Sequence, residues 1–485
     1  MKALLKATLV ASSCMLIVAC DDDDDLPVTP VPPTPPADQG YVRVIHASPD
    51  APKVNVLVNG SAVLTNVDYQ QASSLLALDA GSYQIQVDGI LADGTTATVF
   101  DGTVDVDADT EYNVVATGLV ASLLAGNGDT PFAPVVVPRP ALGNDALTQL
   151  RLQVLHSAPA VGRVGVHVTG ADDPLSAATE LTELSFGEFT PAPVTVDPGT
   201  YRVRLTDPDD PSVVAYDSGT LALTSVADLF IAAVANTQAG PAPVNLLVAD
   251  NSADESGNDA AIIQDSQLMA GLRASHGIAA VGGVDIWVNG QAPDAASPLY
   301  NLTFANTTPA QGFLSLDADT YQIQVAANAT STVLIDIPEL PLAAGTAYSA
   351  IAVIDAMGMP TLWAVEEDLR AIATEARLRV FHASASAGNV DIYLSADMMA
   401  DDGDIKLAGV PYLAESGILG IPPGNYYLLI TPENTPEVIA VGPAMLELQA
   451  GMRYTAIAVD DPDNTTGLAT PGIDIGVITL DGLAP

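Results

Sequence analysis

Short runs in which apolar and polar residues alternate recur along most of the chain after residue 40. An alternation of period two is typical of a strand with one buried face. Four runs share one register, because each begins eight residues after a histidine: Val54-Val56-Val58, Val164-Val166-Val168, Val284-Ile286-Val288 and Val390-Ile392-Leu394. The pattern predicts four copies of one β unit, each with a histidine near its start, namely His46, His156, His276 and His382.

A second landmark in each copy is a turn that leads through a tyrosine into another alternating strand. The turns read DAGSY, DPGTY, DADTY and PPGNY, and they end in Tyr83, Tyr201, Tyr321 and Tyr426. Such a tyrosine can bury its ring while its hydroxyl bonds to backbone across the turn, which resembles the tyrosine corner of Greek-key sandwiches. We expect these tyrosines to have a structural role.

A third landmark, a long apolar run, closes each unit and predicts a central strand. The runs are TEYNVVATG, ADLFIAAVA, TAYSAIAVI and MRYTAIAVD. With about seven short strands and little helix per unit, the sequence predicts an all-β chain of four tandem immunoglobulin-like antiparallel β-sandwich domains. Their predicted bounds are 41–138, 148–250, 266–366 and 376–485. The segments between them, including 250–262, are predicted linkers, and 366–375 is compatible with a short helix.

The first 40 residues follow a different pattern. A positively charged start and an apolar stretch from Ala7 to Ala19, too short to span a bilayer comfortably, precede Cys20. The sequence IVAC at this point resembles the lipobox of bacterial lipoproteins. We therefore predict a lipoprotein signal peptide at residues 1–19 and a lipid on Cys20, with an ordinary signal peptide as the alternative. Residues 20–40 are acidic and rich in proline, which predicts an extended linker.

The composition limits the partners. A formal net charge of -44 repels nucleic acid and anionic headgroups, so we expect no nucleic-acid partner. The two cysteines are Cys14, inside the predicted signal peptide, and Cys20, so the mature chain is predicted to have no intrachain disulfide. The expected location is the bacterial cell envelope, on either face, with the membrane contacted through the N-terminal lipid.

The segments RVIHASPDAPKVNVLVNG, from Arg43, and RVFHASASAGNVDIYLS, from Arg379, resemble the bacterial family called domain of unknown function 4397, whose copies begin with a His-Ala-Ser-Pro-type motif. The third copy keeps Arg273 before its histidine, whereas the second has Gln153 at that position. The resemblance extends over most of each unit. It implies a secreted or surface location and an immunoglobulin-like sandwich, and it implies no activity.

The recurring histidines are the residues that invite a chemical interpretation. A histidine at a strand end can fix a neighbouring loop by a hydrogen bond, whereas a metal site needs further ligands, and only Asp50 is an obvious oxygen donor nearby. The sequence has no nucleophile elbow, HExxH, P-loop or dinucleotide fingerprint. We therefore expect no catalytic residue, metal or cofactor. The aspartate clusters at 207–210 and 401–404 lack EF-hand spacing, although they allow weak calcium binding.

The leading hypothesis is a non-enzymatic envelope lipoprotein whose tandem sandwiches act as a spacer and binding array for a glycan, an envelope protein or a surface. The alternatives are an envelope enzyme that acts on glycans and a purely structural stalk. Carboxylates for glycoside hydrolysis can come from distant strands. However, aromatic residues make up only 5% of the chain, and sugar subsites usually use aromatic stacking platforms.

Overall fold

The computed structural model describes residues 38–126, 128–142, 147–178, 180–250, 260–468, 470 and 474–483. The predicted signal peptide, Cys20 and most of the predicted linker lie outside the described residues. Among the described residues, strands make up nearly all of the regular structure, and the helices are α1 (Val120–Ala125) and a 3-10 turn at Leu175–Ala177. The predicted all-β chain of tandem sandwiches is confirmed.

Repeat 1 is a sandwich of two four-stranded sheets. Its strands are β1 (Gln39–His46), β2 (Val54–Val58), β3 (Ser61–Val67), β4 (Leu76–Asp79), β5 (Gly81–Ile90), β6 (Thr96–Val106), β7 (Thr110–Thr117) and β8 (Ala133–Pro140). One sheet has the order β4-β1-β7-β8 and the other has the order β3-β2-β5-β6. The first strand and the seventh run parallel, and the other neighbours are antiparallel.

Repeat 2 follows the same plan with two local changes. Its strands are β9 (Leu150–His156), β10 (Val164–Gly170), β11 (Glu180–Leu184), β12 (Val194–Val196), β13 (Gly199–Thr206), β14 (Val214–Asp217), β15 (Leu221–Leu223), β16 (Asp228–Ala235), β17 (Val244–Asp250) and β18 (Ala260–Ile263). Two short strands, β14 and β15, stand where repeat 1 has the continuous β6. The additional β18 extends the other sheet beyond β17.

Repeats 3 and 4 keep the parallel pairing of their first strand with the penultimate one. The strands of repeat 3 are β19 (Ala270–His276), β20 (Val284–Val288), β21 (Thr307–Thr308), β22 (Leu314–Leu316), β23 (Asp319–Ala327), β24 (Val333–Leu342), β25 (Ala347–Ile354) and β26 (Pro360–Glu367). The strands of repeat 4 are β27 (Ala376–Ala383), β28 (Val390–Ser395), β29 (Ile405–Val410), β30 (Glu415–Ile421), β31 (Gly424–Pro432), β32 (Val441–Leu448), β33 (Arg453–Asp460) and β34 (Ile475–Leu483).

Two segments between the predicted domains differ from the expectation. The predicted linker 250–262 contains most of β18, because Ala260–Ile263 adds to the edge of β17. The segment 368–375 forms no helix, because its polar groups bond to repeat 1: Arg370 Nε donates to Pro49 O at 2.9 Å and Ala373 N donates to Asp50 O at 2.8 Å. The segment between repeats 3 and 4 therefore packs on a loop of repeat 1.

The predicted central strands, β7, β16, β25 and β33, are buried on both faces. Val114 of β7 packs inside its own sandwich, whereas the next residue, Val115, packs in a cluster with Phe230 and Leu247 of repeat 2. In the second half of the chain, residues of repeats 3 and 4 form a similar cluster that includes Ile351 and Phe381. Sheets covered on both faces give near-continuous apolar runs. The sandwiches are therefore joined in pairs, repeat 1 with 2 and repeat 3 with 4.

A buried network of charges lies in the contact between repeats 1 and 2. Arg139 Nε lies 2.9 Å from Glu111 Oε1, and Arg139 Nη2 lies 3.0 Å from Asp228 Oδ2 of repeat 2. Arg151 Nε contacts the other carboxylate oxygen of Asp228 at 2.7 Å. A carboxylate that is out of contact with water needs such partners, because an unpaired buried charge is strongly destabilising.

Repeats 3 and 4 place an equivalent network at their own contact. Glu367 of repeat 3 receives Arg273 Nη2 at 3.2 Å on one oxygen and Arg379 Nη1 of repeat 4 at 3.2 Å on the other. Arg379 Nε also donates to Glu415 Oε2 at 2.8 Å. Arg273 and Arg379 each precede the recurring histidine of their repeat by three residues. That arginine position therefore belongs to the contact between paired sandwiches.

We predict that Asp228→Ala lowers the free energy of unfolding of the full chain by about 3–5 kcal/mol, because it leaves Arg139 and Arg151 without their shared buried carboxylate. The matched control is Asp209→Ala, which removes an exposed partner of Arg163 and is expected to cost about 0–1 kcal/mol. Urea unfolding followed by circular dichroism measures both. Equal losses in the two variants would contradict a structural role for the buried network.

Candidate functional site

Each recurring histidine lies at the end of the first strand of its repeat, with its ring buried. In every copy Nε2 donates to the carbonyl oxygen of the residue six positions later. The pairs are His46 with Pro52 at 3.1 Å, His156 with Gly162 at 2.8 Å, His276 with Gly282 at 3.0 Å, and His382 with Gly388 at 2.7 Å. The histidine thus joins the end of the first strand to the loop residue that lies two positions before the second strand.

The second ring nitrogen is also engaged in three copies. Nδ1 accepts the backbone N–H two residues later, at 3.4 Å in His156, 3.3 Å in His276 and 3.4 Å in His382. A ring that donates through Nε2 and accepts through Nδ1 is the neutral tautomer. In this state neither nitrogen of these three rings has a free lone pair for a metal ion or for proton transfer.

An aromatic ring meets each histidine edge-on. The contacts are His46 with Tyr69 at 6.1 Å between ring centroids, His156 with Phe186 at 6.4 Å, His276 with Phe304 at 6.2 Å, and His382 with Tyr412 at 6.1 Å. In repeats 1 and 4 the tyrosine hydroxyl donates to the paired sandwich: Tyr69 to Ala235 O at 2.6 Å, and Tyr412 to Ile354 O. These aromatic partners escaped the sequence reasoning.

Burial lowers the pKa of all four recurring histidines, and it lowers the pKa of His46 to about 4. The hydrogen bond to Pro52 O favours the charged ring of His46 but does not outweigh desolvation. Of the nearby charged groups, Arg370 lowers this pKa further and Asp68 raises it. The rings are therefore neutral at neutral pH, which is the state that lets Nδ1 accept a backbone N–H in His156, His276 and His382.

Each of the four predicted tyrosines closes its own turn. The hydroxyl donates to the carbonyl oxygen four residues earlier: Tyr83 to Asp79 at 2.8 Å, Tyr201 to Asp197 at 2.5 Å, Tyr321 to Asp317 at 2.9 Å, and Tyr426 to Pro422 at 3.0 Å. In repeat 1, Asp79 pairs with Gln39 at the start of β1, whereas His46 ends the same strand. The structure therefore holds the histidine and the tyrosine at opposite ends of the sandwich and does not combine them in one site.

The aspartates singled out in the sequence bond to their own turns. Asp210 Oδ1 accepts from Ser212 N at 3.1 Å, and Asp401 Oδ1 accepts from Gly403 N at 2.7 Å. No group of three or more potential metal-ligating side chains is gathered among the described residues. Weak calcium binding stays a prediction. In the described part of the chain, no helix has the length and apolar character needed to span a bilayer.

Two further buried carboxylates were not anticipated. The second strand of repeats 3 and 4 carries Asp285 and Asp391, which its alternation predicts to face outward or to line a rim. Both are buried, because each carboxylate accepts backbone N–H groups from neighbouring loops. Asp285 receives Asn301 N at 2.8 Å, and Asp391 receives Asn434 N at 3.1 Å. They fix loops in the same way as the histidines, at a position that the sequence pattern predicts to face outward or to line a rim.

Comparison with known proteins gives one family. The model described as Domain of unknown function (DUF4397) matches residues 40–167 and 270–393, which together span just over half of the chain. Both matches begin six residues before a recurring histidine, and both end eleven residues after the next one. Each match therefore covers a whole odd-numbered repeat and the first strands of its paired repeat. None of the curated proteins matches the chain.

Solved structures give only distant likenesses. The TIE protein of Bacillus anthracis is 10% identical with a TM-score of 0.15, over 86% of this chain and 66% of that one. The major pilin subunit of Bacillus cereus is 9% identical with a TM-score of 0.10, over 85% of this chain and 93% of that one. These TM-scores are too low to assign a shared fold.

We predict that acidification destabilises the chain partly through His46. Because the pKa of His46 is about 4 when folded and about 6.5 when unperturbed, the unfolded chain takes up the proton first. The associated stability is complete above about pH 6.5 and is lost as the pH falls toward 4, by about 2 kcal/mol between pH 7 and 5. His46→Gln, which keeps a donor but does not titrate there, should flatten the dependence of melting temperature on pH over this range. Parallel curves for the two proteins would refute the assignment, and the interval from about pH 7.5 to 8.5, where both should be flat, is the control.

Proposed function

The chain belongs to the family described as Domain of unknown function (DUF4397), and from this premise we propose that it is a non-enzymatic lipoprotein of the bacterial cell envelope. Its sandwiches act as a spacer and binding array. The partners that fit are a glycan, another envelope protein or a surface. The family description carries no activity, so the proposal depends on what the described residues do.

The observation that carries the proposal is the engagement of the recurring histidines. All four rings donate to a loop carbonyl, and three also accept a backbone N–H. A general base needs a free lone pair within reach of a substrate proton. The histidine that recurs at this position is therefore used to hold a loop in each of the four repeats, which supports binding and display over catalysis.

Contacts beyond the two pairs support a compact array over an extended stalk. Ala239 N of repeat 2 donates to Gly345 O of repeat 3 at 3.0 Å. Arg370, between repeats 3 and 4, contacts Asp68 of repeat 1 at 2.5 Å. Repeats that touch neighbours on several sides present a broad rigid surface, whereas an independent string of domains would bend at each linker.

The charge of the chain restricts the partner. With a net charge of -44, the array disfavours anionic glycans and acidic proteins, so a neutral glycan or a basic protein surface fits best. Calcium held weakly by exposed aspartates would extend that range by neutralising part of the charge. The membrane contact is assigned to the lipid on Cys20 alone.

The test of the anchor is cell fractionation of Cys20→Ser with Cys14→Ser as its matched control. Both variants lose one cysteine near the N-terminus, and only the first loses the predicted lipid site. We expect Cys20→Ser to move from the membrane to the soluble fraction and Cys14→Ser to remain with the membrane. An anchored Cys20→Ser protein, or mass spectrometry that finds Cys20 unmodified, would disprove the lipoprotein assignment. Protease treatment of intact cells then shows which side of the envelope the array faces.

A further inference from the structure

Repeat 2 contains a cavity of about 370 Å³ between its two sheets. By contrast, the cavity beside His276 in repeat 3 measures about 10 Å³. Leu181 of β11, which lines the cavity of repeat 2, is 45% exposed and marks where the cavity reaches solvent. One sandwich of the array is therefore hollow.

Side chains that fill the core elsewhere border empty space in repeat 2. Val154, Val203 and Ile231 point between the sheets, yet they are only half-buried because they face the cavity. The residues at the same register positions of repeat 1 are fully buried, namely Val44, Ile85 and Val114. The cavity thus reflects missing neighbours of these three side chains.

The missing neighbour is an aromatic ring. In repeats 1, 3 and 4 the penultimate strand carries an inward tyrosine, and a backbone N–H five residues earlier donates to its hydroxyl: Asp107 to Tyr112 at 3.2 Å, Ala343 to Tyr348 at 3.3 Å, and Gln449 to Tyr454 at 2.9 Å. In repeat 2 this register position holds Leu229, which pairs with Leu152 as Tyr112 pairs with Val42. Repeat 2 therefore lacks the tyrosine ring that fills this end of the core in repeats 1, 3 and 4.

The strand that should cover the same region is also interrupted. Repeat 1 has the continuous β6, whereas repeat 2 breaks between β14 and β15. At the break, Ser218 Oγ accepts from Val203 N at 2.9 Å, and Arg202 Nε donates to Asp217 Oδ1 at 2.7 Å. The interruption is thus fixed by specific bonds, so the hollow is a built feature of the repeat.

The lining is almost entirely aliphatic. Apart from Glu180, Thr190 and Tyr201, every lining residue is leucine, valine, isoleucine or alanine. Thr190 Oγ1 already accepts from Val154 N at 3.1 Å, and the Tyr201 hydroxyl donates to Asp197 O. Among the residues that the structure describes, no lysine, arginine or histidine lines it. A charged group placed inside would lose its hydration without gaining a counter-ion, so the occupant must be apolar.

We propose that repeat 2 binds the uncharged hydrocarbon chain of a neutral lipid between its sheets. An apolar cavity of about 150 Å³ is enough to bind benzene, and this one is more than twice that size. Its walls run from Leu229 to Ala233 on one sheet, a distance of about 13 Å along the strand, which suits an elongated chain. The net charge of -44 favours an uncharged headgroup over a carboxylate at the opening.

The test uses the full chain with Cys20→Ser, which carries no acyl chain of its own, and N-phenyl-1-naphthylamine, an uncharged fluorophore. We expect saturable binding of one probe per chain, displaced by 1-dodecanol and displaced much more weakly by dodecanoate at about pH 8. Leu229→Tyr introduces the ring that the other repeats have at this position, and Thr224 N, five residues earlier, takes the place of the N–H that donates to its hydroxyl. This variant should weaken probe binding by at least about tenfold. Leu229→Met, which keeps a flexible apolar side chain, is the matched control and should bind within about threefold of the parent.

Val203→Phe fills the cavity from the facing sheet and serves if Leu229→Tyr does not fold. Either filled variant should also melt at a higher temperature, because it removes empty volume. The proposal fails if the parent shows no saturable binding, or if a folded, filled variant binds as the parent does. Stronger displacement by dodecanoate than by dodecanol would overturn the neutral headgroup. None of these results depends on the membrane anchor, so failure here is distinct from failure of the lipoprotein assignment.

Discussion

The structure depends on one constraint: in every repeat, the sheet that contains the first and penultimate strands is too apolar on its outer face to be left in water. Phe230, Ile351 and Phe381 lie on that face and are fully buried because another sandwich covers them. Burial of such side chains is worth about 1.5–3 kcal/mol each, so the pairing of sandwiches is part of folding and not a later association. The same contact forces the charges that share the face to neutralise one another. Asp228 and Glu367 each meet two arginines there, at least one of which comes from the other repeat.

The limits of the family matches agree with that constraint. Each match begins at the first strand of an odd-numbered repeat and stops inside the second strand of the even-numbered one. The match over repeats 1 and 2 thus begins and ends at the same positions, relative to the recurring histidines, as the match over repeats 3 and 4. The matched segment includes both first strands of a pair, which carry the loop-fixing histidines and line the shared face. The recurring unit of this chain is better described as a pair of sandwiches than as a single one.

The sequence predicts what has a fixed spacing. The second strand begins eight residues after each histidine, and the tyrosine bonds four residues back in every copy, so both landmarks were visible as repeats. The aromatic partner of the histidine was not visible as a repeat, because its spacing varies. Tyr69 follows His46 by 23 residues, whereas Phe186 follows His156 by 30. Alternation predicts that Asp285 and Asp391 face outward or line a rim, and only the loops folded over them show that they are buried. Runs such as ADLFIAAVA, which are apolar on both faces, indicate a strand that is covered on both sides. They do not indicate that the second cover is another sandwich.

Repeat 2 departs from the other copies on both faces of the same sheet. On the outer face it has Gln153 where the others have arginine, yet Arg139 and Arg151 supply the positive charge that the contact needs. On the inner face it has Leu229 where the others have tyrosine, and no other described side chain fills the space. Empty core volume is destabilising, by roughly 20 cal/mol or more for each Å³ in proteins that relax little. Such a cavity would remove much of the net stability of a single sandwich, which is about 5–15 kcal/mol. Repeat 2 stays folded despite its cavity, because a buried ion-pair network and an apolar cluster hold its outer face against repeat 1. The pairing that the apolar faces impose is therefore what allows one member of the array to stay folded while its interior is left open for a ligand.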